Sequence, residues 1–225
     1  GRIRIMDDVN QRALQYYEGQ QKLGSLADDS LVRRARVLLA IGEDHLSRDN
    51  YTDALAAFRE AHRTTAEQLA RATHDPDRIF AHSQSEYWIG YVDYDRRNYG
   101  PARRAFERYK ALAEQLTRID PSRAEWIREA GYAAGNLCSI ALSPPIDPVA
   151  ALKECSVALE RMEQVNRLRR DDRTSIIDLA NRHAWLADAW NANDRWDRVL
   201  HHRRRQEALV RSLIARDPLN LDYRD

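Results

Sequence analysis

Apolar side chains recur at helical spacing along nearly the whole chain. Between residues 51 and 72, Ala54, Leu55, Phe58 and Ala61 stand at i, i+1, i+4 and i+7, the stripe that one helix face presents to a core. No segment alternates apolar and polar residues with β-branched enrichment, and no Asn-Gly or Asp-Gly pair marks a turn between strands. The pattern predicts an all-α chain. Its helices are expected near residues 7–23, 30–48, 51–72, 77–96, 99–118, 122–142, 147–169, 173–193 and 195–216.

These helices come in copies. AIGEDHLSRDNY (Ala40 to Tyr51), WIGYVDYDRRNY (Trp88 to Tyr99) and WLADAWNANDRW (Trp185 to Trp196) each lead through a short polar turn into another helical stretch. A further copy, GNLCSIALSPPIDPVAALKECSVAL, carries about four extra residues at its turn. Anchored on the second helix of each pair, a small residue recurs at Ala54, Ala102, Ala151 and Val199, at spacings of 48, 49 and 48. Four positions later stand Phe58, Phe106, Cys155 and, off pattern, Arg203; the preceding small residue is Gly42, Gly90, Gly135 and Ala187. Units are punctuated by Asp75-Pro76, Asp120-Pro121, Asp171-Asp172 and Asp217-Pro218, and proline suits a first helical turn, where its missing N–H costs nothing. One helical hairpin cannot bury its own stripe, so stacked copies are expected to share an elongated core. Such a shape accounts for a mean hydropathy of -0.71 in a chain that is 43% hydrophobic.

The pattern Gly42, Tyr51, Ala54, Phe58, Ala61 resembles the tetratricopeptide repeat, in which small and aromatic positions let two antiparallel helices approach. Gly90, Tyr99, Ala102 and Phe106 repeat it, with Tyr109 at the last position. The resemblance covers about residues 30–223. It implies a right-handed α-solenoid of about four hairpins plus an extra N-terminal helix, with repeats near 30–74, 77–119, 122–170 and 173–216. The period exceeds the family's usual 34 residues, which implies helices about two turns longer. Long-period relatives with an Asp-Pro-x4-Trp joint occur in bacterial signalling and regulatory proteins beside effector domains. Asp120-Pro121 to Trp126 and Asp217-Pro218 to Tyr223 resemble that joint. Residues 218–225 read as the start of a further repeat, and Ala13, Leu14 and Tyr17 match a second helix whose first is missing, so a segment of a longer protein is expected.

Composition narrows the function classes. With 36 Lys+Arg against 35 Asp+Glu, the net charge of +1 does not suit bulk attraction to nucleic acid or anionic lipid. No run approaches the roughly 20 apolar residues of a membrane helix. Two cysteines cannot build a disulfide framework, which favours a reducing, cytoplasmic location. Phosphate-binding glycine loops, nucleophile elbows and His-Glu-x-x-His are all missing, so no enzyme activity, cofactor or metal is expected. His45 takes a slot where the repeat usually has an inward Tyr, and reads as a core histidine. His183 and Asp188 lie about 500° apart around one helix and do not share a face. The adjacent His201 and His202 make a poor metal pair. Cys138 and Cys155 fall on the two helices of the third hairpin; Cys155 reads as a small buried hydrophobe, with a redox pair as the alternative.

What remains is binding. By the family register, the face made by first helices offers Arg36, Glu43, Tyr87, Tyr91, Tyr94, Tyr132, Asn136, Asn181, Asp188 and Asn191, with Glu86, Ile89, Gly90 and Asp93 inward. Tyrosine and asparagine suit a peptide groove, combining apolar area with hydrogen-bonding tips. The competing register packs those tyrosines between helices and turns Glu86 and Asp93 to water. Relatives that clamp carboxylate termini use a Lys/Asn/Arg set, of which only Asn136 and Asn181 are hinted at here. The expected function is a non-catalytic protein–protein interaction scaffold, or a regulatory or sensory module of a larger bacterial signalling protein. Its partner would be a peptide, another protein or a domain of the same chain, with self-association through the solenoid ends. The alternatives are a small-molecule or nucleotide sensor around Tyr87, Tyr91 and Tyr132, and an RNA binder using Arg167, Arg169, Arg170, Arg173 and the HHRRR run at 201–205.

Overall fold

The computed structural model describes residues 2–19, 22–170 and 172–217. Among them are nine α-helices and no strand: α1 (Arg2–Glu18), α2 (Asp28–Leu46), α3 (Tyr51–Arg71), α4 (Pro76–Asp95), α5 (Tyr99–Ile119), α6 (Ala124–Leu142), α7 (Pro148–Leu168), α8 (Arg173–Asn191) and α9 (Trp196–Arg216), with a 3₁₀ turn at Leu23–Ser25. The Pro218-to-Tyr223 joint, the expected start of a further repeat, and Asp171 lie outside the described residues. Neighbouring helices pack in sequence order, α2 on α3 and α3 on α4, then α6 on α7, α7 on α8 and α8 on α9. The chain divides into two compact units, Gly1–Leu112 and Ala113–Asp225, with the division inside α5.

What lets the two helices of a hairpin close on each other is visible at their crossings. A Cβ on Gly42 would lie 2.3 Å from the Phe58 ring, and one on Gly90 would lie 2.6 Å from Phe106. Glycine is therefore what lets the first helix close onto the phenylalanine of the second. Phe58 also stacks on Trp88 at 5.2 Å, which continues the core from one hairpin into the next. In unit 1, Leu14 joins Leu38, Ile41, Ala57 and Ala61 in one cluster, so α1 covers the exposed side of the first hairpin.

Three of the four hairpin turns share one geometry. Asp49, Arg97 and Asp194 take positive φ of 58°, 59° and 55°. Next to each, Asn50 N–H bonds to His45 C=O at 3.0 Å, Asn98 N–H to Asp93 C=O at 2.8 Å, and Arg195 N–H to Trp190 C=O at 3.0 Å. These are Schellman closures of the first helix, with non-glycine residues at the left-handed position. The third turn departs, with a cis Pro144-Pro145 bond in its longer loop. Asp75, Asp147 and Asp172 cap α4, α7 and α8 by accepting backbone N–H groups, with Pro76 and Pro148 in first turns.

Three expectations are corrected. The spacing predicts a first helix over 7–23, but that helix ends at Glu18, before Gly19. Asp120 does not start a helix at residue 122: its Oδ1 accepts from the N–H and Oγ of Ser122, and α6 begins at Ala124. Cys155 is buried at 1% exposure but is not a free small hydrophobe, because it is bonded to Cys138 with a Cα–Cα distance of 5.0 Å. In this hairpin the close approach also moves. Gly131 faces Met162, whereas Gly135 faces Arg182 and Trp185 of α8.

Candidate functional site

In unit 1 the most concentrated polar chemistry lies between α3 and α4. Glu86, 2% exposed, receives Arg108 Nε at 2.6 Å and Nη2 at 2.8 Å on its two oxygens, and His62 Nε2 lies 3.0 Å from Oε1. Burial alone would raise this carboxyl, but the His62 and Arg108 bonds more than offset it and bring the pKa down to about 2. His82 faces His62 with ring centroids 4.6 Å apart, and burial beside that imidazole pushes its pKa down to about 4. Thr65 Oγ1 lies 3.0 Å from His82 Nδ1 and donates to the His62 carbonyl at 3.1 Å.

The same helix carries the expected tyrosine face. Glu86, Gly90 and Asp93 are buried and Ile89 is half-buried, as the family register places them. Yet Tyr87 is half-buried as well. Its ring lies 6.3 Å from Phe106 and 5.7 Å from Tyr109 on α5, and 5.9 Å from Tyr91. Tyr94 packs on Tyr99 at 5.8 Å. The two competing registers are thus not exclusive, because α4 is packed by α3 on one side and α5 on another. Buried Asp93 is held by Asn98 Nδ2 at 3.0 Å. On α2, Arg36 and Glu43 are exposed, while Arg34 is buried against Glu60 at 2.9 Å and His45 is 3% exposed.

Unit 2 has a polar seam from α6 to α8. Tyr132 Oη donates to Asp178 at 2.9 Å, and burial together with that carboxylate raises its pKa. Arg128 Nη2 donates to Asp172 Oδ2 at 2.9 Å and to Ser175 Oγ at 2.8 Å. The Arg182 guanidinium lies 4.1 Å from the Trp185 ring. Asn136 Nδ2 is buried and has no hydrogen-bond partner among the described residues. Asn181 and Asn191 are exposed. Asp188 accepts from Arg203, which explains why Arg203 at the phenylalanine position tolerates its place outside the core. His183 and His202 face each other, Nδ1 to Nδ1 at 3.0 Å. The ten expected face residues therefore do not form one set: some are exposed, whereas Tyr87 and Tyr132 are engaged internally.

A cleft that the sequence did not announce lies at the ends of α5 and α7 and the start of α6. It has a volume of about 460 Å³ and is lined by Arg118, Arg161, Arg167, Thr117, Gln164 and the apolar Ile127, Leu168 and Pro121. Arg161 donates to Gln164 at 3.3 Å, and none of its three arginines is ion-paired among the described residues. By contrast, Arg169 pairs with Glu125 at 2.9 Å and Arg173 with Asp217 at 3.2 Å. The sequence run 167–173 therefore separates in space into paired and unpaired cations. The grouping of His62 and His82 with Glu86 is likewise not an expectation of the sequence. The four-residue step from His82 to Glu86 is legible, but only the packing of α3 on α4 adds His62.

No family model matches the chain, and no curated protein matches it. Among solved structures it is similar to TTC0263, a thermophilic TPR protein in Thermus thermophilus, at 16% identity and a TM-score of 0.36 over 84% of this chain and 95% of that one. It is also similar to the MamA protein, at 11% identity and a TM-score of 0.36 over 84% of this chain and 97% of that one.

Proposed function

We propose that this chain is a non-catalytic protein-interaction scaffold that binds an acidic segment of a partner protein in the Arg118–Arg161–Arg167 cleft. The observation that supports this most is the charge of the cleft: three arginines stand among its lining residues beside Ile127, Leu168 and Pro121, and no lining residue is acidic. Arginine offers planar, bidentate recognition of carboxylates, and its weak hydration makes it a common interface anchor. Exposed Arg36, Glu43, Asn181 and Asn191 are proposed as further contacts in their own units. A peptide is favoured over RNA because Arg169 and Arg173 already have acidic partners, which leaves no continuous basic face for a phosphate backbone.

The finer reading, a regulatory or sensory module of a larger bacterial signalling protein, rests on the resemblance in sequence pattern and is tested by the reading frame on both sides of residues 1–225. None of the described helices is long and apolar enough to cross a membrane. The Cys138–Cys155 bond removes cysteine usage as an argument for a reducing compartment, since disulfides persist in oxidising ones.

The test is a titration of glutamate-rich, neutral and lysine-rich labelled peptides, with free nucleotide as a separate arm. Saturable binding of the acidic peptide, weakened at least tenfold by the Arg118→Glu/Arg167→Glu double variant, supports the proposal. Equal affinity for all three peptides, or binding of nucleotide alone, overturns it.

A further inference from the structure

We propose that His62, His82 and Glu86 form a binding site for one zinc-class divalent transition-metal ion, held across α3 and α4. One ring nitrogen from each histidine and one Glu86 carboxylate oxygen lie within 4.8 Å of one another. Zinc bonds of about 2.0–2.2 Å bring ligand atoms to roughly 3.3 Å apart, so side-chain movements of about 1 Å complete the site. Two imidazoles and one carboxylate suit zinc, cobalt, nickel or copper; calcium and magnesium call for oxygen-rich sets.

Helix geometry supplies most of the preorganisation. His82 and Glu86 are four apart and share a face of α4, and α3 brings His62 against them. Thr65 supplies an outer contact. Its Oγ1, which donates to the His62 carbonyl at 3.1 Å, lies 3.0 Å from His82 Nδ1 and 3.0 Å from Ser85 Oγ, so it can accept an Nδ1 proton in the tautomer that leaves Nε2 its lone pair. This is the arrangement by which a second group orients a metal-bound imidazole. Arg108 bonds both Glu86 oxygens, so an ion competes with it for that carboxylate. Its side chain is 54% exposed, so it can swing to water when an ion arrives. Three protein ligands leave a fourth position for water or for a partner's side chain.

The experiment is calorimetric titration of the full, chelator-stripped chain with Zn²⁺, and with Co²⁺ for its ligand-field absorption. One saturable site per chain is expected. His62→Gln and His82→Gln should each weaken binding at least tenfold, Arg108→Gln should tighten it by removing the competing cation, and His183→Gln, at the other histidine pair, should leave it unchanged. His62 is partly exposed, so its variant decides the matter even if the His82 variant does not fold. No saturable binding by wild type and Arg108→Gln, or wild-type affinity in folded His62→Gln, overturns the proposal.

Discussion

A buried charge shows at the scale of one residue how this chain differs from an apolar helical array. Arg34 is 1% exposed, bonded to Glu60 at 2.9 Å and to the Tyr17 carbonyl, with Nε and Nη1 buried and unbonded. Removing Arg34 leaves Glu60 with the half-exposed Arg63 alone, at 2.6 Å, so the cost lies at the low end for a broken buried pair, about 3 kcal/mol. Arg34→Ala should therefore lower stability by about 3 kcal/mol in urea unfolding. Arg211→Ala, which breaks only an exposed pair with Glu207, should change it by less than about 0.5 kcal/mol. His183 gives a pH dependence. Burial first, then the charges of His202, Arg205 and His201 on α9, lower its pKa from 6.5 to about 4. Below pH 6.5 the unfolded chain takes up a proton that the folded site refuses until about pH 4, so stability falls across that window as pH drops. His183→Gln should flatten that part of the pH profile in thermal unfolding, and an unchanged profile would contradict this origin. The i,i+4 spacing of Glu207 and Arg211 is visible in the sequence; the other partnerships are not, because Arg34 and Glu60 meet only when α2 packs on α3, and His183 and His202 only when α8 packs on α9.

At the scale of the element, the hairpin was legible because its constraints are local. Gly42 and Phe58 sit at fixed spacing, and their contact is what that spacing encodes. Gly42→Ala should cost about 1–3 kcal/mol, since the new methyl has to push the Phe58 ring aside. Arg97 holds a left-handed conformation that glycine adopts freely, so Arg97→Gly should raise stability by about 1 kcal/mol. The third hairpin was less legible. Its longer turn was visible as an insertion, but the shift of the close approach from Gly135 to Gly131 depends on what Met162 and Arg182 fill. Nor does residue spacing distinguish two buried thiols from the disulfide that joins α6 to α7. The bond closes a separation of 17 residues, for which chain entropy suggests about 3 kcal/mol. Reduction should lower the urea midpoint accordingly, and an unchanged midpoint would contradict a structural role.

At the scale of the molecule, the chain is a run of hairpins divided into two compact units. The repeat foretold the hairpins but not the cleft. Arg118 and Arg167 are 49 residues apart in sequence and meet with Arg161 only through the packing of unit 2. Of the expected tyrosines on α4, the Tyr87 ring is engaged by Phe106 and Tyr109 and the Tyr94 ring by Tyr99, which moves the weight of the functional reading from aromatic anchors to arginine. The most direct test of that reading is the hydrogen-exchange footprint of the whole chain with and without a glutamate-rich peptide. Protection concentrated at the ends of α5 and α7 and the start of α6 is the predicted result. Protection elsewhere with those segments unchanged would contradict it.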